Sequence, residues 1–198
     1  MNIKAIIFDF DGVILESVDV KTRAFALLFK ERPDHLPAIL TLHKIHGGMS
    51  RFEKFERIYK DILCQPLSQE KKEELGRQFA EYVYKGVLES PFVGGAREFL
   101  EEYYQKLPLF IASGTPDGEM KSIAEDRGLE KYFKGIFGSP LKKKDIILKI
   151  LKDFNFNPQE VIFVGDSIDD EEGAMGAGVR FVWRAKENNP FSELKKII

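Results

Sequence analysis

The segment Phe8-Asp9-Phe10-Asp11-Gly12 decides how this chain is interpreted, because it places two carboxylates directly after an apolar run. That run, residues 3–8, is rich in Ile and Phe and has the length of a strand. In open α/β sheets, ligands bind in the crevice at the carboxyl ends of the strands. The segment therefore predicts a first strand that delivers Asp9 and Asp11 to a functional site.

The two carboxylates can take different parts in the hydrolysis of a phosphate ester. Asp9 can attack phosphorus as a nucleophile. Asp11 can protonate the leaving oxygen and later deprotonate the attacking water. Gly12 permits a tight backbone turn after them. A solvated acidic turn at the end of a strand is the structural alternative for this segment alone.

Further apolar runs of strand length follow along the chain. They are Leu109–Ala112, Val161–Val164 and Val179–Trp183, with Ile136 and Phe137 as a weaker fifth strand. Their continuous apolarity predicts strands that are buried on both faces, as in a parallel sheet. Helical patterns lie between the runs, at Gly95–Lys106, Asp117–Arg127 and Lys144–Phe154. The alternation predicts an α/β fold with a doubly wound, Rossmann-like parallel sheet.

The stretch from 18 to 89 has a different pattern. It contains helical patterns without a convincing strand, at Lys21–Lys30, Arg51–Ile62 and Gln69–Leu88. Prolines at Pro33, Pro37 and Pro66 are interpreted as breaks between its pieces. We therefore predict a small all-helical cap at 18–89, inserted into an α/β core that is formed by 1–17 and 90–198.

Polar groups also follow the second strand. Ser113 can donate a hydrogen bond to a phosphoryl group, and the backbone amide of Gly114 can add another. Thr115 is predicted to be the N-cap of the next helix, with Pro116 at its first position. Farther along, one lysine of the run Lys142-Lys143-Lys144 could neutralise a phosphoryl group, while the others form a solvated basic run.

The third polar cluster is acidic and follows Val161–Val164. Its members Asp166, Asp169 and Asp170 would repel one another unless a cation offset their charge. Carboxylate oxygens suit Mg²⁺. A helix N-terminus favours acids through its dipole, but that does not account for Asp166 beside Gly165 at the end of a strand. The cluster predicts a magnesium site.

Together these segments resemble the four ordered motifs of haloacid dehalogenase-like hydrolases. The matching segments are Phe8–Val13, Ala112–Gly114, a lysine near 143, and Gly165–Asp170. The resemblance implies that Asp9 is the nucleophile and a metal ligand. It implies that Asp11 is the acid/base, with its backbone carbonyl on the metal. An aspartate at position 11 is a feature of the phosphoryl-transfer members rather than of the dehalogenases.

The resemblance implies further roles at the other motifs. Ser113 would bind the transferring phosphoryl group, and Asp166 would ligate Mg²⁺, with Asp170 as a ligand directly or through water. The family's lysine commonly lies three residues before the apolar stripe of the next helix, which favours Lys143. The insertion at 18–89 occupies the place of the small helical cap in the phosphoglycolate-phosphatase-like branch.

These features predict a Mg²⁺-dependent phosphatase for a small phosphorylated metabolite, such as a phosphoglycolate-like compound or a sugar phosphate. The alternatives are a phosphomutase of the same branch and a non-catalytic binding module on the same fold. In the cap, the loop from His46 to Arg51 is polar and glycine-rich, so His46 and Arg51 are candidate substrate contacts. A helix–helix connection explains the same loop equally well.

The composition of the chain limits the expected binding partners and the expected cellular compartment. The 198 residues carry a net charge of −2, which offers no basic excess for nucleic acid. Cys64 is the only cysteine, so an internal disulfide is excluded and a reducing compartment is expected. No apolar stretch approaches the roughly 20 residues that a membrane span needs. We expect a cytoplasmic protein that binds neither nucleic acid nor membrane, and leave its oligomeric state open.

Overall fold

The structure is a computed structural model that describes residues 3–185 and 189–198. Residues 1–2 and 186–188, which belong to the predicted core, lie outside the described residues. The described part contains a five-stranded sheet whose strands are all parallel, with helices between them. This architecture confirms the predicted α/β fold.

The sheet places the first strand at its centre. In chain order the strands are β1 (Ala5–Phe8), β2 (Leu109–Pro116), β3 (Gly135–Ser139), β4 (Val161–Gly165) and β5 (Arg180–Trp183). Their spatial order is β3-β2-β1-β4-β5, so β1 pairs with both β2 and β4. Phe8 at the end of β1 lies in register with Ile111 and Val164. The residues that follow β1, β2 and β4 therefore meet at one edge of the sheet.

Both faces of the sheet are buried at the three central strands β2, β1 and β4, which explains their continuous apolar runs. The edge strands β3 and β5 are only partly buried, so the prediction of burial on both faces is wrong for them. Ile6 and Phe8 contribute to the hydrophobic cluster on one face, and Ala5 and Ile7 to the cluster on the other. Because strand side chains alternate between faces, a strand buried on both sides must be apolar at every position.

Helices connect the strands and form the inserted segment. In the described residues they are α1 (Val18–Leu28), α2 (Leu36–Ile45), α3 (Arg51–Arg57), α4 (Gln69–Glu89), α5 (Ala96–Tyr103), α6 (Asp117–Asp126), α7 (Lys143–Asp153), α8 (Ile168–Ala177) and α9 (Pro190–Ile197). The predicted helix Arg51–Ile62 is α3, continued by a π-helical turn at Ile58–Ile62. No helix in the described part is both long and apolar enough to cross a membrane.

Helices α2 and α9 were not predicted from the sequence, and for α2 the reason is that Pro37 was interpreted as a break. Pro37 is the second residue of α2, and Pro190 is the first of α9. Proline is tolerated there since the first amides of a helix have no partner inside it. Asn189 also caps α9, since its side chain accepts hydrogen bonds from the amides of Phe191 and Ser192.

The helices α1–α4 all lie within the predicted cap at 18–89 and pack around aromatic side chains. Phe25 of α1, Phe55 of α3 and Phe79 of α4 are buried, and the rings of Phe25 and Phe79 have centroids 4.9 Å apart. This packing holds the helices together as a layer beside the carboxyl edge of the sheet.

Candidate active site

Asp9 occupies the centre of the carboxyl edge of the sheet. It follows β1 directly, and its amide donates a hydrogen bond to the carbonyl of Val164 at 2.8 Å. The residue is 3% exposed, and its carboxylate lies 2.9 Å from Nζ of Lys143. Burial raises the pKa of Asp9 well above its usual range; Lys143 opposes this shift, and the nearby Asp170 and Asp166 add to it.

Asp11 lies two residues away in a different electrostatic environment. Its carboxylate accepts a 2.6 Å hydrogen bond from Oγ of Ser17 and forms an ion pair with Lys21 of α1. Burial would raise the pKa of Asp11, but the charge of Lys21 and the hydrogen bonds from Lys21 and Ser17 outweigh burial and hold the pKa below its usual value. Asp11 is therefore ionised in the free protein.

The turn after Asp11 requires glycine at position 12. Gly12 has φ of +80°, a region that side chains with a Cβ avoid. A Cβ at this position would also collide with the carboxylate of Asp166. Gly12 thus lets the chain fold back closely over the acidic cluster.

Ser113 and Gly114 lie in the C-terminal half of β2, beside β1. Ser113 is buried, and its Oγ accepts a hydrogen bond from the amide of Thr115 at 3.1 Å. The prediction that Thr115 is a helix N-cap is wrong: Pro116 is the N-cap of α6, without a capping side chain. The Thr115 hydroxyl instead lies 2.8 Å from Nζ of Lys21 and 3.4 Å from Asp11. Strand β2 extends through Thr115, so this side chain joins the surroundings of Asp11.

Among the three consecutive lysines, the structure directs Lys143 into the site. Lys143 begins α7 and is 6% exposed, whereas Lys142 and Lys144 are exposed. Its ammonium forms ion pairs with both Asp9 and Asp170. Burial would lower the pKa of Lys143, but the carboxylates of Asp170 and Asp9 raise it above its ordinary value, so the lysine stays charged.

Asp166 and Asp170 lie at the end of β4 and in the first turn of α8. Asp170 is 0% exposed and accepts hydrogen bonds from the hydroxyl of Ser167 at 2.6 Å and from the amides of Ser167 and Asp166. Ser167 and Asp170 form the capping box of α8. Both carboxylate oxygens of Asp170 therefore already have partners within the protein. Burial and the charge of Asp170 raise the pKa of Asp166 to about 7.

This donor set fits a hard divalent cation. Oxygen atoms of Asp9, Asp166 and Asp170 all lie within 4.8 Å of one another. Burial and the charges of the neighbouring carboxylates raise the pKa values of Asp9 and Asp166, which favours their protonated forms when no cation is bound. A divalent cation would favour the ionised forms of the cluster.

The cap loop contacts the core directly above this edge. The amide of Gly48 donates a 3.1 Å hydrogen bond to the hydroxyl of Ser167. His46 Nδ1 lies 3.1 Å from Asp169, and Arg51 lies 2.5 Å from Glu119 of α6. The predicted substrate contacts His46 and Arg51 therefore each have an acidic partner on the core, and their role in binding substrate stays a prediction.

Two cavities border the catalytic residues. An open cleft of about 880 Å³ lies between cap and core, with Ser113, Gly114 and Lys143 in its wall. A small cavity of about 20 Å³ lies behind the loop, with Asp9 and Asp11 in its wall. Three polar cap side chains in the wall of the small cavity were not predicted from the sequence: Lys21, His43 and Lys54. No local pattern marks them, because only the packing of cap on core brings them to Asp9.

Comparison with known proteins gives consistent matches along the chain. A family model described as haloacid dehalogenase-like hydrolase matches residues 3–178. Enolase-phosphatase E1 of Aquifex aeolicus is 24% identical over 98% of this chain and 96% of that protein. Phosphoglycolate phosphatase of Thiobacillus denitrificans is 27% identical over 90% of this chain and 81% of that protein. A solved structure described as a predicted phosphatase from Clostridium acetobutylicum has a TM-score of 0.77 at 19% identity, covering 100% of this chain and 99% of that one, which supports the fold.

Proposed function

Because this chain belongs to the family of haloacid dehalogenase-like hydrolases, we propose that it is a Mg²⁺-dependent phosphatase that hydrolyses a small phosphorylated metabolite through a phosphoaspartate at Asp9. The proposal rests on one observation: the neighbouring carboxylates of Asp9 and Asp11 lie in different electrostatic surroundings. Asp9 lies in the acidic cluster beside Lys143, whereas Asp11 lies outside that cluster with Ser17 and Lys21. Two carboxylates in such different surroundings suit two different roles.

The first half of the reaction forms the phosphoaspartate. A carboxylate oxygen of Asp9 attacks phosphorus, and the bond from phosphorus to the ester oxygen breaks. Ser113 and the amide of Gly114 hold oxygens of the phosphoryl group, and the ammonium of Lys143 offsets their charge. The leaving oxygen takes a proton from Asp11.

Asp11 must first acquire that proton, since it is ionised in the free protein. The negative charge of an entering phosphate ester raises the pKa of a nearby carboxyl group. In the second half of the reaction, Asp11 removes a proton from water, and the water oxygen attacks phosphorus. The bond from phosphorus to the Asp9 oxygen breaks, so the Asp9 carboxylate is regenerated and inorganic phosphate leaves.

The carboxylates of Asp9 and Asp166 would hold the metal ion. Asp170 would orient the cluster through its contacts with the amide of Asp166 and the ammonium of Lys143. A bound Mg²⁺ supplies positive charge that offsets the phosphoryl oxygens and the ionised nucleophile. The names of the two curated relatives, enolase-phosphatase E1 and phosphoglycolate phosphatase, support a phosphatase reaction on a small substrate.

The test is metal-dependent hydrolysis of an aryl phosphate by the purified full-length chain. We expect phosphate release with Mg²⁺, loss of release after chelation, and restoration on adding Mg²⁺ back. Phosphate release that persists at the same rate in excess chelator would contradict the metal requirement. A folded protein that releases no phosphate from aryl phosphate, sugar phosphates or phosphoglycolate would contradict the phosphatase proposal.

A further inference from the structure

The small cavity behind the cap loop has the size of a single water molecule. Its volume is about 20 Å³, and roughly 10–15 Å³ is enough for one water when polar groups surround it. Polar residues of both the core and the cap lie in its wall: Asp9, Asp11, Thr115, Lys21, His43 and Lys54. The cavity therefore suits a water molecule and leaves no room for the carbon chain of a substrate.

The cavity adjoins the place where the phosphoryl group is held. Gly114, Gly48 and Met49 line both the small cavity and the large cleft. A phosphoryl group that is bound at the amide of Gly114 and linked to Asp9 therefore borders the small cavity. The carboxylate of Asp11, the proposed base, belongs to the wall of the same cavity. A water molecule in this cavity thus has both the base and phosphorus as neighbours.

Three cationic side chains of the cap line this cavity, and two of them are matched by acids. Lys21 forms an ion pair with Asp11, and Arg51 forms one with Glu119 of α6. Lys54 is buried, with 2% of the residue exposed, and no carboxylate among the described residues forms an ion pair with it. A buried cation without a counter-charge is unfavourable, so a role in the reaction would account for its retention here.

Contacts inside the cap fix the ammonium of Lys54. It lies 3.0 Å from Nδ1 of His43 and 3.4 Å from the carbonyl of Gly47. The imidazole is buried, is stacked on the ring of Phe25 at a centroid distance of 4.5 Å, and lies 3.2 Å from the hydroxyl of Thr22. Burial and the charge of Lys54 lower the pKa of His43 to about 3, so the ring is neutral and Nδ1 accepts from the ammonium. An ammonium has three N–H donors, so these two contacts leave one for a group in the cavity.

We propose that this cavity holds the water that hydrolyses the phosphoaspartate, and that the ammonium of Lys54 positions this water. The inference rests on the proposed function, because it assumes a phosphoryl group on Asp9. The water oxygen accepts a hydrogen bond from Lys54 through one lone pair and attacks phosphorus with the other. Asp11 takes one proton from the water, and the bond between phosphorus and the Asp9 oxygen breaks. The charge of Lys54 stabilises the negative charge that develops on the attacking oxygen.

The charge of Lys54 responds to the phosphoaspartate in the direction that this role requires. Burial lowers the pKa of Lys54 to about 7 in the free protein. A phosphoryl group on Asp9 brings negative charge to the cavity, and nearby negative charge raises the pKa of an ammonium. The phosphoaspartate therefore favours the protonated form of Lys54 at the stage when water must attack.

The test separates the two halves of the reaction with 4-nitrophenyl phosphate and Mg²⁺. The aryl oxide leaves without needing a proton, so the first half-reaction depends little on groups near the leaving oxygen. Because its release is effectively irreversible, kcat/KM reports only the steps up to the phosphoaspartate, whereas kcat also includes hydrolysis of the phosphoaspartate. Lys54→Met removes the charge of the side chain and keeps its length.

We expect Lys54→Met to lower kcat by at least about 100-fold, while kcat/KM stays within about twofold of wild type. Rapid quenching should show that the variant accumulates as the phosphoaspartate after a burst of 4-nitrophenolate. Lys44→Met, an exposed lysine of the same cap, is the matched control and should keep wild-type kinetics. Equal losses in kcat and kcat/KM, or an unchanged kcat, would overturn the inference.

A crystal structure gives a result without turnover. Wild-type protein with Mg²⁺ and beryllium trifluoride, which mimics a phosphoryl group on a carboxylate, should contain one ordered water that contacts both Lys54 and Asp11. A structure without that water, or with the ammonium of Lys54 turned away from it, would also overturn the inference. Release of 4-nitrophenolate by the wild-type chain would still support the phosphatase proposal, so the two failures are distinguishable.

Discussion

At the scale of single residues, the different roles of Asp9 and Asp11 follow from the residues around each carboxylate and not from their spacing in the sequence. Asp9 shares its surroundings with two other carboxylates and Lys143, whereas Asp11 is held by Ser17 and Lys21. The sequence predicts that both acids follow a strand. It does not predict Lys21, because the contact between α1 and Asp11 forms only when the chain turns back at Gly12.

The three consecutive lysines provide an internal comparison. Lys143→Ala should lower kcat by at least about 100-fold, because it removes a preorganised charge from the phosphoryl site. Lys142→Ala and Lys144→Ala should stay within about twofold of wild type, since exposed charges interact weakly with a buried site. Steady-state kinetics on one substrate checks all three variants. A smaller effect at Lys143 than at either neighbour would contradict the assignment.

Asp166 and Asp170 should respond differently to truncation. Asp166→Ala should raise the Mg²⁺ concentration for half-maximal activity by at least about tenfold, because it removes a carboxylate that is available to bind the metal ion. Asp170→Ala should mainly lower the free energy of unfolding, by about 3 kcal/mol, since it strands the buried hydrogen-bond donors of Ser167.

Magnesium titration of activity and chemical denaturation separate the two effects. A larger shift in the magnesium requirement for Asp170→Ala than for Asp166→Ala would show that Asp170 is the more important ligand. Unchanged stability of Asp170→Ala would contradict its role in capping α8.

At the scale of elements, the prediction succeeded where the pattern is local. The strand ends before Asp9 and Asp166 follow from apolar runs, and β1, β2 and β4 are parallel neighbours. The predicted strand end before Ser113 is wrong, because β2 continues to Pro116. Helix α2 was missed because Pro37 in its first turn resembles a break, and no helix was predicted at α9. Cap contacts such as that of Gly48 with Ser167 join residues far apart in sequence, for which one sequence contains no signal.

The close approach of the cap loop to the core can be tested at Gly48. A Cβ at this position would lie 2.7 Å from Oγ of Ser167 and 2.8 Å from Nζ of Lys143. Gly48→Ala should therefore lower kcat/KM by at least about tenfold, because the added methyl group keeps the cap loop from packing against Ser167 and Lys143. The thermal stability should change little.

Gly118→Ala is the matched control, since a Cβ there meets nothing within 4 Å and alanine favours the helix α6. It should keep wild-type kinetics. Equal kcat/KM for both variants and wild type would show that the loop does not need this close contact with Ser167 and Lys143.

At the scale of the whole molecule, the small cavity is lined both by cap residues and by the catalytic residues Asp9 and Asp11. The burial of Lys54 in its wall lowers the free energy of unfolding. The pKa of Lys54 is lowered from 10.5 to about 7, chiefly by burial. Because the unfolded chain keeps the proton up to about pH 10.5 and the folded chain releases it near pH 7, the penalty is complete below about pH 7 and fades as pH rises toward 10.5.

Lys54→Met should therefore stabilise the free protein. The gain should be about 2 kcal/mol near pH 6, with the lost hydrogen bond to His43 offsetting part of the relieved charge burial, and it should shrink near pH 9.5. Thermal unfolding of wild type and variant at both pH values measures it. A variant that is less stable than wild type at pH 6, or a gain that grows with pH, would contradict an unpaired charge at this position.

The assignment of Asp9 as the nucleophile is tested by locating the phosphoryl group during turnover. Wild-type protein with Mg²⁺ and substrate is quenched rapidly in acid, digested, and analysed by fragmentation mass spectrometry. We expect one phosphoryl group on the carboxylate of Asp9, and neither modification nor turnover in a folded Asp9→Asn variant. A phosphoryl group on any other residue, or an Asp9→Asn variant that retains more than a trace of wild-type turnover, would contradict Asp9 as the nucleophile.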